Sequence, residues 1–448
     1  MKASIKLFSL FIYLITVPGF AQETITPATA LQAYLHNGDT HYQWSVRDSF
    51  QLETVKGYNL ILTSQKWREY TWRHQLTILV PRQNNHDGAL LFITGGSNRD
   101  EQPNWKKNDD ELVASLAHMA STNKAITAVI RQTPNQPLYG DRTEDELISY
   151  TLHNYKQDGD FSWPLLFPMV KSAVRGMDAI QEFSQKNLRH KISKFVVSGA
   201  SKRGWTTWLT GAHDTRVAAI GPMVIDVLNM PVSLNYQLEV WKDYSVQIQD
   251  DVDLGIPQGA ETESGKALNT MIDPYSYRKA LTMPKMIFIG TNDEYWPVDA
   301  IKNYLDSIPG KNLIHYVPNA GHDLGGGKQA LTGLSAFFGT TLLQRNYPEC
   351  QWECRRAGNA IKLDVAASKD LLLDAVVWSA VSEDRDFRNE TFSRKSLNLK
   401  NKSKISINEP LPTTGFKAFY LDLNYQAPNG EPYTVSTRMF VADAEGIL

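Results

Sequence analysis

The chain lacks most of the features that announce a function at first sight. It has 2 cysteines in 448 residues, which excludes a disulfide-stapled scaffold and a cysteine-rich zinc fold. Charge of one sign is missing as well. With 46 Lys plus Arg against 48 Asp plus Glu, the formal net charge of -2 gives no field to collect a polyanion, so no nucleic-acid partner is expected. Beyond the N-terminus no apolar run approaches the roughly 20 residues of a spanning helix, so no membrane span is expected in the mature chain. Nucleotide loops are absent too: there is no G-x-x-x-x-G-K-[ST], no G-x-G-x-x-G follows a strand, and Gly325-Gly326-Gly327-Lys328 has the wrong spacing. Cys350 and Cys354 stand alone in a C-x3-C spacing compatible with a small disulfide loop or with two free thiols. No second Cys pair or clustered His lies near them, so neither a metal nor an organic cofactor is expected.

What is present is a large apolar fraction, 42% of residues, enough for two or three buried cores. Lys2 and Lys6 precede an apolar stretch over residues 7–17, and Gly19-Phe20-Ala21 offers small residues at a cleavage site. Residues 1–21 therefore read as a signal peptide, and the mature protein as periplasmic or secreted. Residues 22–87 carry alternating β-rich runs around Tyr42 to Trp44, 55–63 and 75–80, which suggest an antiparallel sheet edge.

From 88 to 347 the pattern changes. Short, nearly continuous apolar runs at 89–94, 125–130, 194–198, 218–220 and 285–290 alternate with amphipathic helical patterns at 111–119 and 169–183. That alternation predicts an α/β domain, a doubly wound and mostly parallel sheet covered on both faces. Residues 348–448 return to strand patterns at 371–378, 405–407, 418–423 and 433–441, with turns at Pro410 to Pro412 and Pro428 to Gly430. They predict a C-terminal β-sandwich, immunoglobulin-like in size.

Three segments of the α/β region carry chemistry. In Val196-Val197-Ser198-Gly199-Ala200-Ser201-Lys202-Arg203-Gly204-Trp205 an apolar strand runs through a small-residue turn into a helix, the pattern of a nucleophile elbow with Ser201 at its tip. The usual motif is G-x-S-x-G, whereas here Arg203 fills the last position and the second glycine follows it. In Gly290-Thr291-Asn292-Asp293-Glu294-Tyr295-Trp296 a carboxylate follows an apolar strand, where a triad acid sits. Asp293 is the first candidate, Glu294 and Asp299 are alternatives, and a capping role before a helix over 298–305 is the bland reading. In Pro318-Asn319-Ala320-Gly321-His322-Asp323 the loop after a short strand carries His322, placed to act as general base. The order Ser201, Asp293, His322 is that of an α/β-hydrolase triad.

A matching oxyanion hole needs two preorganised donors. The amide of Lys202 supplies one, and the loop Gly95-Gly96-Ser97, through Gly96 or Ser97, supplies the other unless it is an ordinary turn.

These segments, together with Trp163-Pro164-Leu165-Leu166-Phe167-Pro168, resemble the PhoPQ-activated pathogenicity-related protein family. The resemblance implies an exported α/β-hydrolase-like domain with a β-rich C-terminal region, and it accounts for Arg203 as this family's own version of the elbow.

Further residues are candidates for contacting substrate: Trp105, Trp163 and Trp296, which with Tyr139, Tyr236 and Trp241 lie in or near loops able to roof a cleft, and Arg131 and Asp226, each after a strand. The run Gln249-Asp250-Asp251-Val252-Asp253 fits a solvated acidic loop, a site for a cationic group such as a peptide amino terminus, or a calcium loop. The chain is thus expected to be an exported serine hydrolase acting on a small ester or peptide through an acyl-enzyme. The alternative is an inactive hydrolase scaffold, with the C-terminal region as the place where a protein partner would dock.

Overall fold

The computed structural model describes residues 24–448, so the expected signal peptide lies outside the described residues. The strands, in chain order, are β1 (Gln43–Leu52), β2 (Val55–Trp67), β3 (Tyr70–Pro81), β4 (Gly88–Ile93), β5 (Asn98–Arg99), β6 (Gln102–Pro103), β7 (Thr127–Ile130), β8 (Lys194–Ala200), β9 (Val217–Met223), β10 (Lys285–Gly290) and β11 (Asn312–Val317). Then follow β12 (Cys350–Ala357), β13 (Ala360–Ala367), β14 (Leu372–Ser382), β15 (Ser393–Ser396), β16 (Lys404–Pro410), β17 (Phe416–Gln426), β18 (Pro432–Ser436) and β19 (Phe440–Ala442).

The continuous apolar runs become the parallel centre of the sheet. Strand β4 pairs in parallel with β7 and β8, and the parallel run continues through β9, β10 and β11. Every residue of β4, β7 and β10 is buried, as expected where helices cover both faces. Among those helices are Glu111–Asn123, Leu166–Phe183, Lys202–His213 and Lys328–Leu342. The alternating N-terminal runs form the antiparallel ribbon β1-β2-β3, joined to the core where β3 pairs with β7.

Past residue 347 the sheet does not stop. Strand β11 pairs antiparallel with β18 at Ile314 and Ser436, and β17, β14 and β15 extend the same sheet. Pairing covers what would otherwise be an exposed edge of the parallel core. A second sheet, β12-β13-β16, packs its Ile361, Leu363, Val365, Ile405 and Ile407 against Val377, Phe419 and Leu421 of the extension. The C-terminal sandwich therefore shares one leaf with the α/β sheet.

Two local expectations change. The strip 298–305 forms two 3-10 turns, Ala300–Asn303 and Leu305–Ser307, and Asp299 does not cap the first, its carboxylate being taken by the hydroxyl of Tyr236 at 2.8 Å and by Lys302 at 2.9 Å. The hairpin β12-β13 is not among the strand patterns read from the sequence, although β12 alternates exposed Gln351, Glu353 and Arg355 with half-buried Cys350, Trp352 and Cys354 as a one-sided strand does. Cys350 and Cys354 are free thiols. Four residues apart on one strand, their backbones are about 13 Å apart, too far for a disulfide.

Candidate functional site

Serine first. Strand β8 ends at Ala200 and the helix Lys202–His213 starts two residues later, with Ser201 between them at φ 58 and ψ -128. A non-glycine residue held in that region is strained, and the surroundings must enforce it. Two close approaches do so. A Cβ on Gly199 would lie 2.9 Å from the carbonyl oxygens of Arg203 and Ile93, and one on Gly204 would lie 2.6 Å from that of Met223. The Ser201 amide also donates to the Met223 carbonyl at 2.9 Å, fastening the turn to β9.

Arg203 explains itself once its partners are visible. Its guanidinium donates to both oxygens of Glu144 at 2.8 and 2.7 Å, and its Nε to the Thr133 carbonyl at 2.6 Å. It lies under the loop after β4, since a Cβ on Gly95 would come 2.6 Å from Nη2. Lys202, 7% exposed, turns its ammonium to Glu144 at 2.8 Å and Asp145 at 3.1 Å. Gln136 closes the set, donating to Glu144 at 2.5 Å and accepting the Glu144 amide at 2.8 Å. Burial works to raise the Glu144 carboxyl, but the hydrogen bond and charge of Arg203 and the charge of Lys202 outweigh it and hold the group down at about 2. Sequence reasoning did not find Glu144. The acidic run Glu144-Asp145-Glu146 signals the start of the helix Glu144–Asp158, but Arg203, which fixes its role, is 59 residues away.

The acid and the histidine sit on neighbouring loops after β10 and β11. His322 Nδ1 lies 3.0 Å from Asp293 Oδ2 and 3.1 Å from Oδ1, and the Tyr295 ring stacks on the imidazole at 4.0 Å. Of the three carboxylates considered, Asp293 is the one facing the ring. Glu294 instead accepts the backbone amide of His322 at 3.0 Å, and Asp299 is occupied with Tyr236 and Lys302. The other ring nitrogen, Nε2, is buried without a hydrogen-bond partner among the described residues, so it is not bonded to Ser201 Oγ. Such bonds are often loose before substrate arrives.

Ser201 and Lys202 open onto a pocket lined by Trp205, Ile225, Val227, Met230, Tyr295 and Trp296 and by the carboxylates Asp145, Asp250 and Asp251. Burial pushes the Asp251 carboxyl up to about 6, although Ser149 donates to it at 2.6 Å. Asp250 is also raised, by burial and then by Asp145, Glu146 and Asp253. Among the described residues no three acidic, His or Cys side chains converge as a metal site would need.

The remaining candidates divide. Trp296 lines the pocket, 8% exposed, with its indole N–H buried and unpartnered. Asp226 lies behind the wall made by its neighbours Ile225 and Val227; Tyr304 donates to it at 2.6 Å, and burial, reinforced by Asp293 and Asp299, pushes it up to about 8. Arg131 is spent on Asp110 at 2.7 Å, and Asp110 in turn caps the helix Glu111–Asn123. Trp163 lies beneath the Arg68 guanidinium at 3.4 Å, and Trp105 beneath that of Arg47 at 4.0 Å. Arg131, Trp163 and Trp105 are not among the pocket-lining residues.

Gly96, at φ +145, rests on Gln132, and its carbonyl accepts from Gln136 at 3.1 Å. The Ser97 hydroxyl and carbonyl both accept from Asn104, at 2.8 and 2.9 Å. Neither Gly96 nor Ser97 lines the pocket over Ser201, whereas Lys202 does.

A parallel sheet between helices, with its loops gathered over the C-terminal ends of β8, β10 and β11, is an α/β-hydrolase fold. Among solved structures, an acetyl xylan esterase from Thermoanaerobacterium sp. superposes with a TM-score of 0.50 at 14% identity, covering 70% of this chain and 93% of that one. The likeness is one of fold. The sequence identifies the chain more closely: residues 31–388 match the family described as PhoPQ-activated pathogenicity-related protein, and the chain belongs to it. A curated relative is Autocrine proliferation repressor protein A of Dictyostelium discoideum, 30% identical over an alignment of 434 positions that covers 89% of this chain and 86% of that protein.

Proposed function

We propose that this protein is an exported serine hydrolase that cleaves an ester or amide bond through an acyl-enzyme. The observations that carry the reading are a strained, pocket-facing Ser201 at φ 58 and an Asp293-oriented imidazole whose Nε2 has no hydrogen-bond partner among the described residues. In this mechanism His322 Nε2 takes the Ser201 proton as the oxygen attacks the carbonyl carbon. Asp293 holds the proton-bearing Nδ1 and stabilises the imidazolium, which then protonates the leaving group. Water repeats the sequence to release the acid. The amide of Lys202, beside Ser201 in the pocket wall, stabilises the oxyanion, a donor worth about 3 kcal/mol. Export is read from the leader pattern of residues 1–21.

The test is labelling of the purified mature protein with a fluorophosphonate, with Ser201→Ala as control. Labelling of wild type alone supports the mechanism. A correctly folded wild type that stays unlabelled overturns it, and then favours the second reading, an exported interaction protein on a hydrolase scaffold. That reading is suggested by the name of the Dictyostelium relative, a proliferation repressor.

A further inference from the structure

The loop between β14 and β15, residues 383–392, belongs to the C-terminal sheet by sequence and to the candidate site by contact. Its own shape is over-determined. Ser382 Oγ donates to Asp384 and to the Asp386 carbonyl, both at 2.9 Å, and Asp386 accepts the Arg388 amide at 3.0 Å. Phe387 and Phe392, each 2% exposed, plug into the core cluster that also lies under the parallel strands. A loop pinned at so many points is a rigid body that can hold others in place.

Two asparagines receive it. Asn292, the residue before Asp293, points its amide nitrogen at the carbonyls of Phe387 at 3.0 Å, Arg388 at 3.2 Å and Glu390 at 2.7 Å. Asn319, three residues before His322, donates to the Phe392 carbonyl at 3.0 Å and accepts the Phe392 amide at 2.7 Å. The same loop reaches the helix Met230–Trp241, whose Met230 lines the pocket. Arg385 donates to the Tyr236 hydroxyl at 2.6 Å, and the Arg388 guanidinium sits 4.1 Å from the Trp241 ring centre.

We infer that loop 383–392 is the brace that sets the offset between the acid loop and the histidine loop, and that Asn292 and Asn319 are positioning residues acting through it. The inference rests on the hydrolase reading for its effect on rate, but the brace itself is a statement about geometry. An acid and an imidazole on separate loops must be held to a fraction of an ångström to work as one unit; the loops bond to each other, Glu294 accepting the His322 amide at 3.0 Å and Thr291 Oγ accepting the Asn319 amide at 2.8 Å, and the brace fastens both to a third, rigid segment. In this view the C-terminal sheet is part of the hydrolase, not only an appended binding module.

The experiment measures fluorophosphonate inactivation of the full mature chain, separating the maximal inactivation rate from the half-saturating probe concentration. Asn292→Ala and Asn319→Ala are expected to lower the maximal rate between about 10- and 100-fold with little change in half-saturation, because pocket and elbow are untouched. Val365→Ala in β13 is the control: it loosens the same sandwich and lowers the melting temperature without touching the brace. Equal rates in wild type and the Asn variants would overturn the brace, as would an equal loss in Val365→Ala. If wild type is folded but unlabelled, the hydrolase reading fails while the brace is still decided by hydrogen exchange. Amides 290–295 and 319–323 should then exchange faster in the Asn variants than in wild type or Val365→Ala, and unchanged exchange there overturns it.

Discussion

The serine half and the acid–histidine half of the site are built in opposite ways. Ser201 at φ 58 is held most directly by neighbours in its own strand–turn–helix and on the adjacent strands: Gly199, Gly204 and the Met223 carbonyl. Asp293 and His322 sit on two loops that bond to each other through Glu294 and Thr291 and, through Asn292 and Asn319, to a segment some 70 to 100 positions further along. A local device is cheap in conformational entropy and leaves a compact signature. A device assembled from distant segments must close long loops first, and it leaves single polar residues as its only trace.

Four outcomes would break or sharpen that comparison. The largest belongs to the assembled half: Asp293→Asn should keep the fold but lose about 10^4-fold in labelling rate, read against wild type at matched melting temperature. Next comes the local half. Gly204→Val drives a side chain into the Met223 carbonyl, which a Cβ alone would approach to 2.6 Å, and should cost about 3 kcal/mol by denaturant unfolding. If the variant is as stable as wild type, the elbow is less tightly packed than described.

Third, Glu144→Gln removes the charge that holds Lys202 and Arg203 beside the elbow. It should cost about 1 to 3 kcal/mol, less in high salt. Because the folded carboxyl is held down at about 2, its contribution is present above the ordinary carboxylate value and fades as pH falls toward 2. The stability gap between wild type and Glu144→Gln should therefore narrow below about pH 4, measured by melting at a series of pH values.

The smallest effect on labelling is expected at Asp226, where the sign of the pH dependence is reversed. With the folded group pushed up to about 8, the folded state keeps a proton that the unfolded chain releases, so this residue destabilises increasingly as pH rises from the ordinary value toward 8. Asp226→Asn should leave labelling nearly intact and raise the melting temperature more at pH 8 than at pH 5. An equal change at both pH values would show that the carboxyl is ionised where it lies.

Legibility in the sequence follows the same division. Strands β4, β7, β8, β9 and β10 could be read directly because parallel strands buried on both faces are almost continuously apolar. The helix after Ser201 could be read because its glycines and its preceding strand are contiguous. Glu144 could not: its acidic neighbours look like an ordinary helix start, and only the approach of Arg203 and Lys202 gives it a task. Arg131, Trp105 and Trp163 show the converse. Position after a strand or in a loop made them candidates for substrate contact, yet Asp110, Arg47 and Arg68 occupy them. Residue type and local position do not reveal which partner arrives from elsewhere.

The amino-acid order alone determined the parallel core, the elbow and the sequence of serine, acid and histidine, because each is written in periodicity or in residues next to one another. Only the tertiary structure decided which carboxylate faces the imidazole, what Arg203 holds, and that the C-terminal strands continue the central sheet and brace its loops. Those choices are made by hydrogen bonds and close contacts between segments far apart in the chain, and no local pattern encodes a distance through space.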